Sequence, residues 1–138
     1  MKSNSLYLLF LEKQIYHMAL TSAILLILIS IAHFIYGEKK QIPDLKKITS
    51  DSIMIGSLRI MITQGGFVIL LAGIIQLLVA LNIISLLGIA RFFPLSLVLI
   101  NFVVALIVTL LFHREIFNVT LPQFVIFTII IVLQLLSL

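Results

Sequence analysis

The chain contains no cysteine, no tryptophan and very little charge. Without cysteine there is no disulfide, no thiolate metal site and no cysteine nucleophile. Without tryptophan, an aromatic belt at a membrane surface must rest on Tyr7, Tyr16, Tyr36 and Phe92 or Phe93. Only 10% of the 138 residues are charged, against 62% hydrophobic. Soluble domains carry about 25% charged and roughly 45–50% apolar residues. That imbalance excludes a water-soluble core, and the length leaves room for one domain, residues 1–138.

What is present is long hydrophobic runs. The central one, residues 65–88, has no charged residue and only Gln76, Asn82 and Ser85 as polar side chains. At ~1.5 Å per residue a helix of that length crosses a ~30 Å hydrocarbon layer. No water there satisfies peptide groups, so a helix is the expected form. The expected fold is all-α: a polytopic transmembrane helix bundle of four spans, at about 15–36, 66–87, 93–112 and 121–138. The apolar run 6–11 is short and no small-residue cleavage site follows it. It is expected to stay on the chain, as an interfacial turn or an extension of the first helix.

In the first span, Ala19, Ser22, Ala23, Leu26, Ser30 and His33 share one helical face. Small and hydroxyl residues let another helix approach closely, so this face should point inward. In the second span Gly66, Gly73 and Ala80 recur every seven residues, with Gln76 beside them. Asn101, Ala105 and Thr109 line up in the third; Gln123, Phe127, Ile130, Gln134 and Ser137 share a face of the fourth. Pro122 is expected at a tolerated first-turn position.

Residues 37–50 form the one polar loop, with Gly37 as a helix stop and Pro43 as a second break. Ser50 or Asp51 offers an N-cap for the next helix. The segment 51–63 is apolar apart from a stripe of Ser52, Gly56, Arg59 and Thr63. An arginine at the bilayer centre costs at least ~2.5 kcal/mol. Segment 51–63 is therefore expected to be an interfacial amphipathic helix, entering the bilayer at a kink near Gly65 and Gly66. Lys39, Lys40, Lys46, Lys47 and Arg59 are expected to meet lipid headgroups, with an acidic partner surface as the alternative. These five cations and Arg114 outnumber Lys2, Lys13 and Arg91 on the other side. The positive-inside rule then makes the polar loop cytoplasmic, in what is most simply a bacterial inner membrane, with both ends of the chain opposite.

Few residues suggest chemistry. His17 and His33 are ~24 Å apart along a helix and cannot share a ligand. His33 and His113 end on the same side in a four-span topology, and a haem or metal between them is conceivable. The simpler reading is interfacial histidines bonded to backbone, water or lipid, with no cofactor. Gln76 and Asn101 lie near the middle of their spans, where they serve either a transported solute or inter-helix hydrogen bonds. Gln134 and Asn82 pose the same choice more weakly. No zinc-protease, serine-hydrolase or phosphate-loop motif is present. The expectation is therefore no enzyme and no nucleic-acid partner. The expected role is an accessory or structural subunit of a larger membrane complex, with other membrane subunits or copies of itself as partners. The alternative is a small oligomeric transporter or channel with a polar pathway near Gln76 and Asn101.

Residues 15–112 resemble an uncharacterised family of small bacterial integral-membrane proteins. In that family a span of small residues is followed by a polar loop and two hydrophobic spans, the first with a Thr-Pro-x-x-Arg motif. The corresponding stretch here is Ala72 to Gln76, A-G-I-I-Q, so Gln76 takes the arginine position and the proline is missing. A fourth span follows. Members often neighbour genes for sulfite or sulfonate exporter-type permeases. The resemblance implies an accessory role near a transporter and no known chemistry.

Overall fold

The computed structural model describes the backbone of residues 2–138 and the side chains of Tyr7 and of Leu9 onward. Of the charges counted for orientation, Lys2 lies outside the described side chains. About 90% of the chain is helical and the described residues contain no strand. The elements are α1 (Lys2–Tyr36), α2 (Ile42–Ile48), α3 (Ser52–Ala80), α4 (Phe93–Ile107) and α5 (Phe117–Leu136). Four helical stretches are long and apolar enough to cross a membrane.

The polar segment is not a loop. Gly37–Gln41 continues α1 as a π-helical turn, and α2 follows directly with Pro43 in its first turn. A proline there lacks only an N–H that helix geometry leaves free anyway. Gly37 stays right-handed and buried, because a Cβ at that point would collide with the side chain of Ile62. It permits close approach rather than ending a helix. The apolar run 6–11 is helical backbone, the N-terminal extension of α1.

Asp51 caps α3: its carboxylate accepts from the backbone N–H of Ile53 at 2.9 Å and of Met54 at 3.5 Å. The helix then runs uninterrupted to Ala80, and Gly65–Gly66 causes no break. The reason is packing. Gly66 faces the ring of Phe34, which leaves under 3 Å for an added Cβ. The glycine pair lets α1 come close. After Ala80 the chain leaves the helix seven residues before Leu87. Asn82 takes a left-handed backbone (φ 56°), tolerated by its short polar side chain. A 3₁₀ turn, Gly88–Phe92, leads into α4. A second π-turn, Val108–Phe112, extends α4, and a 3₁₀ turn at Arg114–Ile116 precedes α5. Because α5 begins at Phe117, Pro122 lies inside it rather than in its first turn.

Helix α1 runs antiparallel to α3. Leu26 and Ile27 meet Gly73, and Ser30 meets Gly66. The small-residue face of α1 is the buried one: Ala19, Ser22, Ala23, Leu26 and Ser30 are all buried, while Leu28 is exposed. Gly66, Gly73 and Ala80 are buried opposite. Among the described residues α1 touches α3 and α5, and α4 touches the same two, while the diagonals α1–α4 and α3–α5 do not approach. All four contribute to one core: Leu26, Ile69, Ala72, Val98, Phe127 and Ile130. Edge-to-face ring pairs also join neighbouring helices, Phe34 with the exposed Phe67 between α1 and α3 and Phe102–Phe124 between α4 and α5.

Candidate functional site

Polar side chains at membrane depth mostly close on backbone. Ser22 donates to Ala19 O at 2.9 Å on its own helix. Ser30 donates across the α1–α3 contact to Gly66 O at 2.8 Å, with the serine wholly buried. Asn101 is half-buried and donates one amide N–H to Leu97 O at 2.9 Å on its own helix. Thr128 does the same to Phe124 O at 2.8 Å. Such back-bonding removes the need for a partner in a medium that offers none.

Gln76 and Gln134 differ from these. Gln76 is 9% exposed and lines a cavity of about 230 Å³ with Val79, Leu86, Arg91 and Ser137. The Arg91 guanidinium lies 4.9 Å from the centre of the Phe92 ring. Asn101 lines neither this cavity nor the cleft at the opposite end. Gln134 is 1% exposed, and neither its amide oxygen nor its amide nitrogen has a hydrogen-bond partner. Two unpaired polar atoms in a packed interior are costly, and among the described residues Gln134 alone carries such atoms.

At the opposite end, near the π-turn, α1 and α5 part around a cleft of about 510 Å³ floored by Ile69 of α3. His33, Tyr36, Gln41, Thr120 and Gln123 are its polar lining. His33 is half-buried, and its Nε2 lies 3.5 Å from where a Cβ on Gly65 would stand. His113 is paired within its own turn to Glu115 at 2.9 Å and is exposed. His113 is thus engaged within its own turn, while His33 faces the cleft. The described residues hold no cluster of three or more metal-ligating side chains.

The basic residues divide into paired and free. Arg59 forms a bidentate pair with Glu38, at 2.7 and 3.0 Å, tying the π-turn to α3. Sequence reasoning missed this pair because its members are 21 residues apart and meet only once α1 and α3 fold back on each other. Asp44 bridges Lys47 at 2.7 Å and Lys40 at 3.0 Å. Those hydrogen bonds, from Lys47 first and then Lys40, hold its carboxyl below the usual carboxylate range. Lys39 and Lys46 have no carboxylate within ion-pair distance among the described residues. Compared with protein-family models, curated proteins and solved structures, the chain matches none.

Proposed function

We propose that this chain is a four-span integral-membrane protein that serves as an accessory or structural subunit of a larger membrane assembly, and not as an enzyme. The observation that carries the reading is the fate of the polar groups at membrane depth. The hydroxyls of Ser22, Ser30 and Thr128 and one amide N–H of Asn101 all donate to backbone carbonyls, which suits helix packing better than handling of a solute. The resemblance of residues 15–112 to the small bacterial membrane family points the same way, toward a companion of a sulfite or sulfonate exporter-type permease. Wide apolar surfaces remain exposed, such as Ile100, Val103, Val104 and Ile107 on α4, available to lipid or to neighbouring subunits. A transport pathway through Gln76 and Asn101 would need both in one cavity.

The bilayer placement rests on length. The 29 residues of α3 measure about 43 Å, some 13 Å more than the ~30 Å hydrocarbon core. Set wholly at the Ser52 end, an excess of about nine residues carries Arg59 into the headgroup layer on a continuous helix, rather than on a surface segment kinked at Gly65–Gly66. Its bidentate partner Glu38 further lowers the penalty of holding Arg59 at that depth. Segment 37–50 is cytoplasmic in this reading, with Lys39, Lys40, Lys46 and Lys47 at anionic headgroups.

Purification of a tagged protein in mild detergent is the test. It should elute within a larger assembly with stoichiometric membrane partners. Elution as a lone monomer, with no companion at any detergent strength, would overturn the subunit reading. Because the chain has no cysteine, single cysteines at Lys46 and Ile84 report orientation directly. A membrane-impermeant maleimide applied to whole cells should label the second and not the first.

A further inference from the structure

We infer that the cleft between α1 and α5 is a binding site for one acyl chain of an anionic phospholipid, whose phosphate meets the basic segment at the cleft's upper end. The inference rests on the membrane placement proposed above and names the lipid that placement would bring to this site.

The lining changes character along the cleft. Ile29 and Ala32 of α1, Ile69 of α3 and Ile126 of α5 wall the deep end. Tyr36 and Gln41 lie toward the π-turn, as does Ile116 at the start of α5. From Ile29 to Gln41 is about 18 Å of helix, so the cleft is elongated along the direction lipid chains take. Its volume lies within the range of small-molecule sites, with mostly apolar walls and a few polar groups. Val119 lines the cleft yet is 66% exposed, which puts it at the mouth with Ile116, which is 37% exposed. A guest therefore enters sideways, from lipid.

Charge decides which lipid. The π-turn and α2 carry Lys39, Lys40, Lys46 and Lys47. Glu38 is engaged by Arg59, and Asp44 is shared between Lys40 and Lys47. Lys39 and Lys46 are left without a carboxylate among the described residues, and Arg114, which donates one N–H to Leu110 O at 2.9 Å, comes two residues before Ile116 at the same end, where Glu115 is engaged by His113. A net positive rim over an apolar slot between membrane helices matches an anionic headgroup above a single chain. A zwitterionic lipid would meet the same slot without the Coulombic attraction.

The experiment uses the full chain in phosphatidylcholine nanodiscs containing a minor fraction of diazirine-tailed phosphatidylglycerol or, in parallel, diazirine-tailed phosphatidylcholine. After illumination, adducts are mapped by mass spectrometry. Phosphatidylglycerol adducts should concentrate on residues 29–41 and 116–126, several-fold above the phosphatidylcholine probe. Ala32→Phe, which fills the slot, should remove them. Val119→Trp, which blocks the mouth without touching the core, should do the same if Ala32→Phe fails to fold. Replacing Lys39, Lys46 and Arg114 with Gln should bring the phosphatidylglycerol yield down to that of phosphatidylcholine. Equal labelling by both probes would overturn the anionic preference. Adducts spread evenly onto the α4 face at Ile100 and Val104, or unchanged in both blocking variants, would overturn the site. So would a co-purified helix found crosslinked in the cleft. If the protein failed to enter nanodiscs at all, the membrane placement itself would fall, and the lipid site with it.

Discussion

Replacing Gln134 by methionine should make the protein more stable. The side chain is 1% exposed, and both polar atoms of its amide lack a partner. A buried unpaired polar group costs about 1–3 kcal/mol relative to one that water can reach. Methionine keeps the unbranched shape and similar length, so it removes the polar atoms with little change in packing. The expected gain is therefore about 1–3 kcal/mol, with each ~1.4 kcal/mol worth tenfold in the unfolding equilibrium. Reversible unfolding in mixed micelles of rising dodecyl sulfate content, followed by circular dichroism, measures it. The midpoint should move to higher dodecyl sulfate. A loss of about 1 kcal/mol or more would refute the reasoning. It would mean that the amide is bonded in the membrane-embedded protein, by an enclosed water or by Gln76 swinging from its cavity.

Further outcomes are expected at named contacts. An added Cβ at Gly73 would stand 3.0 Å from Leu26 Cβ and 3.1 Å from the backbone N of Ile27, which cannot give way. Gly73→Ala should cost about 1–3 kcal/mol in the same unfolding assay. At Gly56 nothing lies within 4 Å, so Gly56→Ala should instead gain roughly 0.5–1 kcal/mol from helix propensity. The Glu38–Arg59 pair is half-exposed, and a double-mutant cycle with Gln at each position should give only the small coupling of a solvent-screened pair. A coupling as large as that of a buried charge pair would place Glu38 and Arg59 below the headgroup layer. Asp44 binds protons less readily folded than unfolded, so its contribution is present above the ordinary carboxylate pKa. That contribution is lost as pH falls through the depressed folded value. Amide protection factors in α2, taken relative to the intrinsic exchange rate at each pH, should fall across that acid window in the parent protein and hardly change in Asp44→Asn.

The faces of the helices were legible in the sequence; their ends were not. A 100° step per residue is enough to gather Ala19, Ser22, Ala23, Leu26 and Ser30 on one side, and lipid gives a small-residue stripe little to do except pack. Helix limits depend on local competition that residue type alone does not reveal. Gly37 and Pro43 look like stops, yet the first is held by Ile62 and the second falls in the first turn of α2. The exit at Ala80 has no glycine or proline to announce it; Asn82, able to adopt a left-handed backbone, was the available clue. At the candidate sites, Gln76 and Gln134 were recognisable as polar residues in apolar spans. That Asn101 would turn back to Leu97 O was not, because a side chain's choice between its own helix and a neighbour's depends on the neighbour's distance. The cleft at Thr120 and Gln123 was invisible for the same reason.

The intimacy of α1 with α3 bears on how the protein is made. Its glycine contacts at Gly37, Gly66 and Gly73 and its buried Ser30–Gly66 bond all join α1, with the turn that continues it, to α3, and a ribosome delivers both before α4 and α5. A helical hairpin with interlocking surfaces can settle in the bilayer before α4 and α5 have been translated, and then act as the template on which they assemble. A chain truncated after Leu87 should accordingly keep a bis-maleimide crosslink between cysteines placed at Phe34 and Phe67, whose rings meet edge to face, and failure to form it would show that the later helices are needed to hold α1 and α3 together.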